Sequence, residues 1–168
     1  MCMNSVFRIN QEVVHKREGL AEIISSSLIC DKEYFILKAK RGDGESIYVP
    51  VNGAESIIRP VMSMDQAEEI LRYMYGVQKQ YTSNTKQRRD NYKRLLNSGE
   101  VKDMAFLAMQ LRIYEFSNKD IENPDMKLGV LDIDMLTKAS DILMDELSIV
   151  FKQPRDKIKE FIFNKIDR

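Results

Sequence analysis

Up to about residue 62 the apolar positions fall in short runs that alternate as strands do, separated by polar or glycine-containing turns. Phe7-Arg8-Ile9 is the first and briefest run. Glu12-Val13-Val14-His15 follows and ends in Lys16-Arg17-Glu18-Gly19, a polar turn closed by glycine. Leu20-Ala21-Glu22-Ile23-Ile24 is next, and Ser25-Ser26-Ser27 reads as a serine-rich connection. Glu33-Tyr34-Phe35-Ile36-Leu37-Lys38 is rich in the aromatic and branched side chains that suit a pleated surface. Lys40-Arg41-Gly42-Asp43-Gly44-Glu45 is a turn, Ser46-Ile47-Tyr48-Val49-Pro50-Val51 a further strand, and Ser56-Ile57-Ile58-Arg59-Pro60 a short last one. Pro50 lacks the N–H that a central strand needs, so it fits a strand end or a sheet edge. Four or five strands at this spacing predict a small, curled antiparallel sheet or barrel.

Beyond residue 62 the period becomes helical. Ser63-Met64-Asp65-Gln66 has the spacing of a capping box, and Ala67, Ile70, Leu71 and Met74 share one face up to Gly76. Residues 77–85 are polar and read as a connection. A second helix is expected over roughly residues 85–97, ending at Asn97-Ser98-Gly99. A third starts near Glu100 with Val101, Met104, Ala105, Ala108 and Leu111 as its stripe. Residues 117–131 hold Asn123-Pro124 and Gly129 and read as a loop. A fourth helix runs from about Asp132, with Ile133, Leu136, Ala139, Leu143, Leu147 and Val150 inward. A short fifth follows Pro154, with Ile158, Phe161, Ile162 and Ile166 on one side. The expected class is α+β: a small antiparallel β module over residues 1–62, then an all-α domain over residues 63–168.

Length and composition narrow the function. At 168 residues the chain is one ordinary domain or two small ones. Its 26 basic and 26 acidic residues cancel, which argues against a uniformly basic nucleic-acid coat. The cancellation is uneven along the chain. From Leu71 to Arg94 there are seven basic residues against the single acid Asp90. From Asp120 to Glu146 there are eight acids against Lys127 and Lys138. The basic stretch suits phosphate contact, and it equally suits a solvated helix face that balances the acidic region.

Little else points to chemistry. The sequence has no Gly-rich phosphate loop, no His-Glu zinc helix and no paired-cysteine motif. His15 is the only histidine and lies beside Lys16 and Arg17, as a turn residue would. Cys2 and Cys30 are too few for a disulfide scaffold, which fits a reducing cytoplasm. Tyr34 and Phe35, and the methionines Met64, Met74, Met104 and Met144, read as core. No apolar run is long enough to span a membrane, and no signal peptide is recognisable. No catalysis, metal or cofactor is expected.

The order of these segments resembles the CarD/CdnL family of bacterial transcription regulators, whose N-terminal module also occurs in transcription-repair coupling factors. Phe7-Arg8-Ile9-Asn10-Gln11-Glu12-Val13-Val14 is similar to the family's opening F-K-x-G-D-x-V-V-Y. Gly19-Leu20-Ala21-Glu22-Ile23, Glu33-Tyr34-Phe35-Ile36-Leu37, Ile47-Tyr48-Val49-Pro50 and the stretch through Ile57, Arg59 and Pro60 continue it. In the second half, Gln87-Arg88-Arg89 to Tyr92 and Leu96-Asn97-Ser98-Gly99-Glu100 resemble the family's basic helix and its L-x-S-G-D/E junction. Lys127-Leu128-Gly129, Met135-Leu136-Thr137-Lys138-Ala139 and Leu143-Met144-Asp145-Glu146-Leu147 complete the likeness over roughly residues 7–150.

The resemblance implies a Tudor-like β module that binds the β subunit of RNA polymerase by strand addition. It implies a helical module that touches promoter DNA near the upstream edge of the melted region, with no cofactor, no small-molecule substrate and no membrane. Carried over by position, Ile47, Tyr48 and Val49, with Ser26, Ser27 and Leu28 nearby, fall where polymerase is expected. Lys86, Arg88, Arg89, Lys93 and Arg94 fall on the DNA-facing helix. The family's tryptophan before that helix is Thr85 here, and its Gly-Asp near the start is Asn10-Gln11. Threonine cannot wedge a base step, so mostly phosphate contacts are expected, with Tyr81 as a candidate substitute ring. The rival expectation is a protein-interaction adaptor that binds polymerase or another partner without touching DNA.

Overall fold

The computed structural model describes residues 6–119 and 125–166. Among these, all the strands precede all the long helices, and the chain divides into two compact units, Met1–Val61 and Met62–Arg168. The class is α+β, a β unit followed by a helical one.

The first unit is a five-stranded antiparallel sheet. Its strands are β1 (Glu12–His15), β2 (Gly19–Ile29), β3 (Lys32–Ala39), β4 (Ser46–Pro50) and β5 (Ile58–Pro60), in the spatial order β4-β3-β2-β1-β5. Two differences from the sequence reading matter. Phe7-Arg8-Ile9 is not a strand; Phe7 is buried and sets its ring edge-on to Phe35, centroids 6.4 Å apart. Ser25, Ser26 and Ser27 are not a connection but part of β2, which bulges between Ile23 and Ser25 and then continues opposite β3. The hairpin turns instead at Cys30 and Asp31, both at positive φ. Such a two-residue left-handed turn matches the twist of the flanking strands. Val13, Ala21, Ile23, Leu37, Val49 and Ile58 form the core on one sheet face. Pro50 ends β4 at the sheet edge, where its missing N–H costs no ladder bond.

The second unit has five helices: α1 (Met64–Tyr75), α2 (Thr85–Ser98), α3 (Val101–Ser117), α4 (Val130–Phe151) and α5 (Arg155–Ile166). Both halves of the capping box form at α1: Gln66 N–H donates to Ser63 Oγ and Ser63 N–H to Gln66 Oε1. Met64, expected as core, is exposed in the first turn. Gly99 closes α2 at φ 70°, a conformation costly for any residue with a Cβ. α3 buries Met104, Ala105, Leu107, Ala108, Met109 and Gln110, so it has no single apolar stripe. α4 begins at Val130, ahead of the expected Asp132, because Asp132 Oδ2 accepts the Gly129 N–H and caps the first turn from inside. Leu136, Ala139, Leu143 and Leu147 are buried as their spacing requires, while Ile133 and Val150 are half-buried. Fully buried Glu146 accepts the Met62 N–H at 2.8 Å and fixes the entry to α1.

Candidate functional site

In the β unit, paired residues on antiparallel strands share a sheet face. Tyr48 lies opposite Ile36, which lies opposite Ser25. Pro50 lies opposite Tyr34, which lies opposite Ser27. These six residues form an uncharged patch on the outer face, between exposed Lys32 and Lys38 on the same side of β3, and Tyr48 in it is 54% exposed. Of the residues expected to meet a partner, Ser27 and Tyr48 are therefore brought together on this face. Ser26 and Leu28 project from the opposite face, Leu28 largely exposed. Ile47 is half-buried and Val49 fully buried, so their side chains belong to the core, and their main chain faces β3 in the alternation set by the Val51 N–H bond to Glu33 and the Ala39 N–H bond to Glu45. The outward main chain of β4 is that of Ser46, Tyr48 and Pro50. β4 is a terminal strand with one unpaired backbone side among the described residues. Beyond Ile23, β2 likewise pairs only with β3.

In the helical unit, the basic stretch does not act as one face. Lys86, Asp90, Lys93 and Arg94 lie on the exposed side of α2, and Thr85 is exposed in its first turn. Arg89 is partly exposed and its Nε lies 3.5 Å from Asp132 Oδ1. Arg88 departs from the expectation. It is 4% exposed, because it shares the inward side of the helix with Tyr92 and Leu95. Its Nη2 donates to Asp132 Oδ2 at 2.8 Å and its Nη1 to the Thr82 carbonyl at 2.7 Å. In this conformation Arg88 presents no charge to solvent.

The Arg88–Asp132 pair organises its surroundings. Burial alone would raise the Asp132 pKa, but the Arg88 hydrogen bond, the Gly129 N–H and the Arg88 and Arg89 charges outweigh it. Its carboxyl is held below the ordinary range. The Asp132 hydrogen bond in turn raises the Arg88 pKa. Burial pushes the Tyr92 phenol up. The Arg88 guanidinium also sits 5.4 Å from the Tyr81 ring centroid. The Tyr81 hydroxyl donates to the Lys127 carbonyl and accepts the Lys127 N–H, which anchors the ring and removes it from the role of a mobile wedge.

Three positioning residues escaped the sequence reading. Gln110, fully buried on α3, accepts the Gln80 N–H at 2.9 Å and donates to the Gln78 carbonyl at 2.8 Å. Asn118 makes the same two-bond clamp on Met126, at 2.5 and 3.1 Å. Asp132 is the third. A buried polar residue inside an apolar helical stretch, as Gln110 is, was the available signal.

His15 Nδ1 accepts the Arg17 and Glu18 N–H groups, which is a turn-capping role. Cys30 is a free, exposed thiol, and Cys2 lies outside the described residues. Among the described residues no His/Cys/Asp/Glu group could hold a metal ion, and no helix is long and apolar enough to cross a membrane. No protein-family model and no curated protein sequence matches the chain.

Proposed function

We propose that this chain is a non-enzymatic transcription regulator. It docks on the β subunit of bacterial RNA polymerase through its β unit and lays α2 on promoter DNA at the upstream edge of the melted region, modulating open-complex stability. The observation that carries the proposal is the uncharged patch formed by Ser25, Ser27, Tyr34, Ile36, Tyr48 and Pro50 between Lys32 and Lys38, which continues onto the open edge of β4. Interfaces between proteins favour aromatic residues and exclude charge at their centre. An open strand adds main-chain hydrogen bonds to a partner strand. The segments that resemble CarD/CdnL regulators supply the identity of the partner.

For DNA the supporting side chains are Lys86, Lys93 and Arg94, with the exposed part of Arg89. Three or four phosphate contacts give weak, sequence-independent affinity. Tethering to polymerase raises the effective concentration of the helix at the template. The adaptor reading keeps a specific basis, since Arg88 is turned inward and Asp90 sits among the exposed cations.

Co-purification of the tagged full chain with core RNA polymerase tests the docking, and retention of the β subunit is expected. Absence of polymerase from the eluate would refute it. A promoter footprint with and without polymerase then separates the DNA-contacting regulator from the adaptor.

A further inference from the structure

We propose that the groove between residues 79–82 and α2 is a binding site for an unpaired nucleotide of a single strand, a role that rests on the DNA-contacting reading above. The groove has a volume of about 640 Å³, within the range of sites that enclose small organic ligands.

Its shape is set before any ligand arrives. Gln110 holds the main chain at Gln78 and Gln80 from below. Tyr81 lines the groove with its hydroxyl locked on Lys127 and the Arg88 guanidinium set against its ring. A fixed, half-buried aromatic ring is a stacking platform for a base, and stacking works with any base.

Two groups in the lining lack partners. Arg88 Nε and the Tyr92 hydroxyl are buried without a hydrogen-bond partner, on side chains 4% and 2% exposed. Both can donate, and a ligand oxygen that reached them would supply the missing partner. Gln87 and Asn91 line the α2 wall; Asn91 Oδ1 accepts Arg94 Nη2 at 2.9 Å, so Asn91 offers its amide N–H donors and Gln87 an amide that both donates and accepts, as the edge of a base requires. Exposed Arg94 supplies positive charge for the flanking phosphates, and Lys79 adds to it in exchange for its exposed 3.7 Å pair with Asp125. A polyacidic peptide of glutamates offers no flat ring to stack on Tyr81, and Asp90 in the lining repels its carboxylates as it repels phosphates.

The test uses the full chain with a short single-stranded oligonucleotide and its duplex at one low salt concentration. In the wild type the side-chain amide NMR signals of Gln87 and Asn91 shift with the single strand and stay in place with the duplex. Joint Gln87→Leu and Asn91→Leu substitution lowers single-strand affinity at least about tenfold and changes duplex affinity by less than about twofold. Amide signals that do not respond, or unchanged single-strand affinity in the double variant, would overturn the groove. Competition by a polyglutamate peptide as strong as that by the oligonucleotide would do the same, since it marks a general anion site. A wild type that holds the duplex but no single strand removes the groove alone; one that holds neither removes the DNA-contacting reading with it.

Discussion

Arg88 Nη2 lies 2.8 Å from Asp132 Oδ2, an ion pair with both side chains almost fully buried, 44 residues apart in the chain. It joins α2 to α4 and, through Thr82 and Tyr81, to the segment between α1 and α2. Breaking a buried pair leaves one charge desolvated without a counter-charge. Arg88→Ala or Asp132→Ala is therefore expected to cost about 3–5 kcal/mol of stability, and joint replacement by apolar residues of similar size much less than the sum. Chemical denaturation of the four proteins checks this. Losses below about 1 kcal/mol in the single variants would contradict the structural role.

The same pair sets an acid limit. The folded Asp132 pKa is depressed, so its contribution is complete above the ordinary carboxylate pKa and is lost as pH falls through the folded value. Stability of the wild type should drop on acidification below that range. The Asp132→Asn protein, less stable at neutral pH, should show a flatter acid limb. Parallel profiles would mean that Asp132 does not contribute to the acid response.

Gln110 makes both of its bonds to backbone groups of the 78–80 segment. Gln110→Leu leaves the Gln80 N–H and the Gln78 carbonyl without those partners, at an expected cost of about 1–3 kcal/mol. Hydrogen exchange at the Gln80 amide should accelerate well before the α3 core opens. Unaltered exchange there would show that the clamp is dispensable.

Charge on α2 should separate by burial. Reversal of Lys86, Lys93 and Arg94 to Glu leaves melting behaviour close to wild type and weakens DNA association at low salt. The slope of log affinity against log salt should become shallower by about two to three units, at roughly 0.9 per phosphate contact. Arg88→Glu instead unfolds the helical unit. DNA association indifferent to the triple reversal would exclude this face from the template.

The elements were readable where local rules decide them. The Ser63 to Gln66 box, Gly99 after the basic helix and Pro50 at a strand end all act over a few residues, and all formed. The serines of β2 misled because Ser25, Ser26 and Ser27 carry no strand-like side chains. Their strand character comes from pairing with Ile36, Phe35 and Tyr34. Arg88 misled for a related reason. A count of charges is blind to helix phase, yet Arg88, Tyr92 and Leu95 recur at the spacing of one face, and that periodicity placed the arginine inside. Its partner could not be found the same way, because nothing local links Arg88 to Asp132. On the sheet, Ile47, Tyr48 and Val49 were all expected at the partner, and the structure separates outward Tyr48 from inward Val49 by strand alternation. Only the strand order showed that β4 lies at an edge.

Tyr48 sits at the junction of the uncharged patch and that edge. Tyr48→Glu is expected to leave the fold intact, since the side chain is half-exposed, and to weaken binding to an isolated polymerase β fragment by at least about tenfold. Equal affinity of the two proteins would exclude this surface.

The docking mode is tested most directly by amide hydrogen exchange of the full chain, free and bound to core RNA polymerase. Strand addition predicts that exchange slows on binding at the outward Ser46 and Tyr48 amides of β4, while β5 at the opposite edge is unaffected. A complex that forms with β4 exchange unchanged would contradict it.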